Sequence, residues 1–130
     1  MSKSVLIVDD EEATAWALAE SLREEGFVTA TAHTAAQAEA AHASHPADLV
    51  ITDLRLPDLS GFELLDRLRA GDRAPLAIVI SVWDGPEIEA NLRRSGAVAY
   101  VRKPFDVEKM KQLVEGALAS QAANDGPDAT

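Results

Sequence analysis

The sequence predicts an α/β protein: a doubly wound, five-stranded parallel sheet of order 2-1-3-4-5 with five helices. Three observations predict it. Strand-like and helix-like stretches alternate five times along the 130 residues, as successive βα units do. Three of the strand-like runs are apolar without a break, the mark of strands covered on both faces. Right-handed crossovers then make this strand order the simplest closure.

The elements follow in order. The first strand-like run is "SVLIV" (4–8). Behind it Ala15, Leu18 and Leu22 recur at helical spacing, and Gly26 marks the stop. The second run is "VTATA" (28–32), followed by an Ala-rich helical stretch, 34–44, with Thr34 as its N-cap. The third is "DLVIT" (48–52); a "DLSG" turn then leads into Leu64, Leu65 and Leu68, and Gly71 closes that helix. The fourth is "LAIVI" (76–80). Pro86 suits the first turn of the next helix, Ile88 and Leu92 share its face, and Gly96 ends it. The fifth run, "AYVR" (99–102), precedes a helix whose apolar face is Val107, Met110, Val114, Ala117 and Leu118. Residues 120–130, "SQAANDGPDAT", lose the period and gain Gly, Pro, Asn and Asp. The domain is therefore placed at 1–119, with 120–130 a disordered tail or the start of a linker.

Composition narrows the function. No apolar run approaches the roughly 20 residues of a membrane span. The start "MSKS" lacks a secretory apolar stretch, and cysteine is absent, so a cytoplasmic location is expected. The net charge of −10 repels phosphate backbones, which argues against direct nucleic-acid binding and for cations or basic partner surfaces.

In open α/β sheets the site forms beyond the carboxyl ends of the strands. Asp9 and Asp10 follow the first strand, Asp53 the third, Ser81 the fourth, and Lys103 with Pro104 the fifth. Carboxylates about 4 Å apart repel by about 4 kcal/mol per pair at an effective dielectric near 20. Such a group needs a cation, and all-oxygen ligands suit Mg²⁺, or Mn²⁺ in its place. A carboxylate beside a metal and a lysine is an arrangement that accepts a phosphoryl group. Glu11 and Glu12 are read as serving the helix dipole and the surface only. His33, His42 and His45 fall outside the strand-end set and are read as surface or core residues. Trp16 receives no functional role.

"IVDDEE", "ITDLRLPDLSG", the Ser81 ending "LAIVIS", and "AYVRKPFD" together resemble the receiver domain of bacterial two-component response regulators, a flavodoxin-like fold. The likeness runs from about Ser4 to Leu118. It implies that Asp53 is the phosphoacceptor and that Asp9 and Asp10 hold Mg²⁺ with it. Arg55 would lend its backbone carbonyl to the metal. Ser81 and Lys103 would bind phosphoryl oxygens, Tyr100 would switch rotamer with Ser81, and the Lys103–Pro104 bond would be cis. The implied donor is a histidine kinase or a histidine phosphotransfer protein, and the output passes to a downstream effector domain or protein. The signalling face would be the fourth helix, fifth strand and fifth helix, which leaves room for a homodimer. The chain would catalyse only its own phosphorylation and dephosphorylation.

The sequence also departs from the family. Val82, followed by Trp83, stands where a small residue is usual after the hydroxyl, and Arg55 is distinctive. A β-branched Val82 would narrow the approach to the site, so slow phosphorylation by small donors and a long-lived phosphoryl group are expected. "AVAYVRKPF" lacks the acid that receivers of winged-helix transcription factors carry before the Tyr, so their dimer is not assumed. A receiver that signals without phosphorylation is the alternative. A phosphatase would need a general acid near Asp53, and Asp58 is poorly placed for that. A flavin site would need a phosphate-cradling loop after the first strand.

Overall fold

A computed structural model of the chain describes residues 2–82 and 85–124, with side chains to residue 120. Its elements are β1 (Ser4–Val8), α1 (Glu12–Glu24), β2 (Val28–Ala32), α2 (Ala35–Ser44), β3 (Leu49–Asp53), α3 (Gly61–Arg69), β4 (Leu76–Ser81), α4 (Pro86–Ser95), β5 (Ala99–Arg102) and α5 (Val107–Asn124). The five strands form one parallel sheet in the order β2-β1-β3-β4-β5, as the alternation predicts.

Alternate strand residues point to opposite faces, so β1, β3, β4 and β5 each feed two cores. Val5, Ile7, Ile51, Ile78 and Ile80 meet Leu18 and Leu22 of α1 and Met110, Val114 and Leu118 of α5. Leu6, Val8, Val50 and Val79 meet Ala35 and Ala38 of α2 and Leu64, Leu65 and Leu68 of α3. The central strands are buried on both sides, which is why they read as unbroken apolar runs. β2 lies at the edge, and its Val28 is 58 % exposed.

The helix ends follow local chemistry. Thr34 Oγ1 accepts from Gln37 N at 3.1 Å, the expected cap of α2. Ser60 Oγ accepts from Glu63 N at 3.1 Å and starts α3. Pro86 opens α4, and Gly96 closes it at φ 73°, a left-handed position that favours glycine. Beyond that end, the Arg69 guanidinium of α3 donates to the carbonyl of Ser95 and covers the face of Gly96. The last helix runs to Asn124, past residue 119. The loss of apolar period at 120 therefore does not end the helix; Ala is the best helix former, and Gln ranks close behind it. Residues 125–130 lie outside the described residues.

α3 starts directly beneath the end of β3. A Cβ at Gly61 would collide with the Asp53 carbonyl oxygen, so only glycine permits this approach. Gly61→Ala is expected to cost about 1–3 kcal/mol by overpacking, read as a lower urea midpoint with an unchanged m-value.

Candidate functional site

The parallel register sets the ends of four strands side by side, and backbone hydrogen bonds continue the ladder beyond them. Asp9 N donates to Ala32 O at 3.0 Å, Leu54 N to Ile80 O at 2.8 Å, and Lys103 N to Ser81 O at 2.9 Å. Asp9, Asp10, Asp53, Ser81 and Lys103 are thereby brought to one rim, as the strand order requires. Asp10, Asp53, Arg55, Ser81 and Lys103 line one cleft of about 330 Å³, together with Glu11 and Val82.

Asp53 ends β3 and is nearly buried, at 8 % exposure. Its Oδ1 accepts from Arg55 N at 3.1 Å, and its Oδ2 accepts from Lys103 Nζ at 2.8 Å. Asp9 is buried at 1 % exposure, and its Oδ1 accepts from Glu11 N at 2.9 Å. Its Oδ2 forms an ion pair with Lys103 Nζ at 3.0 Å but has no hydrogen bond of good geometry among the described residues. Asp10 is exposed and faces the opening. Asp9, Asp10 and Asp53 each offer an oxygen within 4.8 Å of the others. A buried anionic oxygen short of donors, inside a set of hard oxygen ligands, fits a divalent cation.

The charges are coupled. Burial pushes the Asp9 carboxyl above the usual carboxylate range, while the Glu11 N–H and Lys103 pull it back. Burial works against the charge on Lys103, but the hydrogen bond to Asp53 and the ion pair with Asp9 outweigh it and raise its pKa above the ordinary lysine range. The ammonium is thus held charged. The Lys103–Pro104 bond is cis. Ser81 is buried at the end of β4. Tyr100 is half-buried on β5 among the residues that face α4, and its hydroxyl is buried with no hydrogen-bond partner among the described residues. Val82 is 59 % exposed at the cleft wall; Trp83 lies outside the described residues.

Three residues do more than the sequence suggests. Glu11 does not serve the helix alone. It makes no side-chain cap on α1, and its Oε1 lies 3.2 Å from Lys103 Nζ. Half-buried His33 places Nδ1 2.9 Å from the Asp9 carbonyl oxygen, behind the site. Asp58 is turned away from Asp53 and accepts from Ala35 N at 2.8 Å and Ala36 N at 3.0 Å, at the start of α2. It ties the loop after β3 to that helix and is no general acid for Asp53. No spacing rule announces the Glu11 contact. Nor does any announce the Asp58 contact, which reaches the free N–H groups of a helix that starts 23 positions earlier.

Residues 5–115 match the family model for the response regulator receiver domain. The chain belongs to this family. Transcriptional regulatory protein KdpE of Mycobacterium tuberculosis is 38 % identical over 119 residues, covering 92 % of this chain and 52 % of that protein. DNA-binding response regulator MtrA of Mycobacterium leprae is 36 % identical over 125 residues, covering 96 % and 54 %. The receiver domain thus spans about half the length of these relatives. Among solved structures, a CheY-like receiver domain protein from Methanospirillum hungatei superposes with a TM-score of 0.89 at 27 % identity, covering 97 % of this chain and all of that one. A response regulator receiver protein from Pseudomonas putida gives 0.80 at 31 %, covering 89 % and 98 %.

The Asp58 contacts make a pH prediction. Backbone N–H groups of Ala35 and Ala36 hold its carboxyl below the ordinary 3.8. The folded carboxylate binds its proton later than the unfolded one, so its stabilisation is complete above that value and fades as pH falls through the folded pKa. Asp58→Ala is expected to lower the melting temperature at pH 7, with the gap to wild type closing in acid below pH 3.8; melting curves at several pH values check this.

Proposed function

We propose that this receiver domain accepts a phosphoryl group on Asp53 and relays it as a change of surface. One observation carries the reading: the Asp53 carboxylate sits at a strand end, 2.8 Å from Lys103 Nζ and within metal-ligand reach of Asp9 and Asp10. The donor is a phosphohistidine on a histidine kinase or phosphotransfer protein. An Asp53 oxygen forms a bond to phosphorus while the P–N bond breaks. The imidazole leaves with that electron pair, its proton coming from solvent. Mg²⁺, with Mn²⁺ as a substitute, would be held by Asp9, Asp10, Asp53 and the Arg55 carbonyl, and would supply positive charge to the phosphoryl oxygens. Lys103 supplies further charge, already positioned and already ionised. Ser81 donates a hydrogen bond to a phosphoryl oxygen.

The switch follows from packing. Ser81 moving toward the phosphoryl group opens space that Tyr100 occupies, and the α4-β5-α5 face changes. That face then engages a downstream effector domain or protein, or a second copy of the chain. The receiver, placed at residues 1–119 with α5 continuing to Asn124, acts in the cytoplasm as a regulator and turns over no external substrate. Exposed Val82 guards the opening, which supports slow entry of small donors and a long phosphoryl lifetime.

Two measurements test this. With acetyl phosphate and Mg²⁺, the intact mass is expected to rise by one phosphoryl group in wild type and not in Asp53→Asn. No adduct from any donor, kinase included, would favour signalling without phosphorylation. Millimolar Mg²⁺ is expected to raise the melting temperature by relieving carboxylate repulsion, with the rise reduced in Asp10→Asn; an unmoved wild-type melt would count against the metal.

A further inference from the structure

Lys103 Nζ is shared by three carboxylates, not two: Asp53 Oδ2 at 2.8 Å, Asp9 Oδ2 at 3.0 Å and Glu11 Oε1 at 3.2 Å. The first two belong to the buried acidic set. The third reaches in from the surface, with Glu11 64 % exposed and Lys103 15 % exposed. Glu11 also lies where two cavities meet. It lines the cleft of about 330 Å³ that holds Asp10, Asp53 and Ser81. It equally lines a groove of about 600 Å³ with Ala17, Pro104, Phe105 and Val107.

We propose that Glu11 is a specificity-determining residue that selects among phosphodonors by their charge, disfavouring small free dianions. This rests on the phosphoacceptor reading above. A dianionic donor entering the cleft must approach Lys103 while Glu11 adds a negative charge beside it and keeps part of the ammonium's field occupied. A less charged donor meets less of this barrier. A protein donor seated along the groove reaches Glu11 at the same time, and a basic side chain there draws its carboxylate off Lys103. Val82 acts differently, since a steric wall hinders donors of similar size alike, whatever their charge. Charge selection and steric hindrance therefore separate in the ratio of two small donors.

Acetyl phosphate is a dianion near neutrality; its P–O bond breaks and acetate leaves with the electron pair. Phosphoramidate carries less negative charge; its P–N bond breaks and the nitrogen leaves as ammonia, which takes a proton from solvent. Asp53 forms the same bond to phosphorus in both. The experiment follows intact mass over time with each donor and Mg²⁺, at low and high ionic strength, for wild type and Glu11→Gln. Removing one charge a few ångströms from the path is expected to raise the acetyl phosphate to phosphoramidate rate ratio about three- to tenfold at low salt, shrinking as salt screens it. Both rates rising by one common factor, an unchanged ratio, or a ratio insensitive to salt would overturn the proposal. Failure of every donor, a cognate kinase included, to label wild type would instead remove the phosphoacceptor reading itself. A Glu11→Asp variant keeps the charge on a shorter arm; a ratio matching that of Glu11→Gln would show that the contact with Lys103, not the charge alone, is what selects.

Discussion

One ammonium holds this site together. Lys103 reaches from the end of β5 to carboxylates at the ends of β1 and β3, and without it those acids would repel across a space of a few ångströms. A lysine in that position carries a desolvation cost, and Asp53 and Asp9 offset it. Positive charge is scarce by design of the composition, since the chain carries a net −10. The remaining carboxylate repulsion is what a divalent cation would relieve, and the proposed phosphoryl chemistry would start from that imbalance.

The scaffold's part is registration. Parallel pairing fixes Asp53 opposite Ile80 and Ser81 opposite Arg102, one residue from Lys103. Backbone hydrogen bonds past the strand ends extend this order into the loops. Gly61 then lets α3 begin in contact with the Asp53 carbonyl, leaving that residue little freedom to shift. The result is a carboxylate whose position is set by main chain on both sides while its oxygens remain available to the cleft.

Most of this was legible because it is periodic or terminal. Apolar runs reported buried strands, and their last residues reported the rim. Asp53 and Ser81 ended strands one residue later than the apolar pattern did, because ladder pairing continues after the hydrophobic signal stops. Glu11 was not legible. An acid at the start of a helix has a sufficient local explanation, and its contact with Lys103 spans 92 positions that only the folded sheet brings together. His33 was hidden for the same reason, its partner being the Asp9 backbone across the β1–β2 pair. The end of α5 was missed because the apolar period reports packing while Ala and Gln report propensity, and these diverge after residue 119.

The contact between α3 and α4 has a consequence for substitutions. The Arg69 guanidinium occupies the space in which any side chain at Gly96 would begin, and it caps the carbonyl just before that glycine. A side chain at 96 would push the flexible end of the arginine aside, and a shorter residue at 69 would uncover the end of α4. The two positions are in contact, so the effects of substitutions at them are not expected to add.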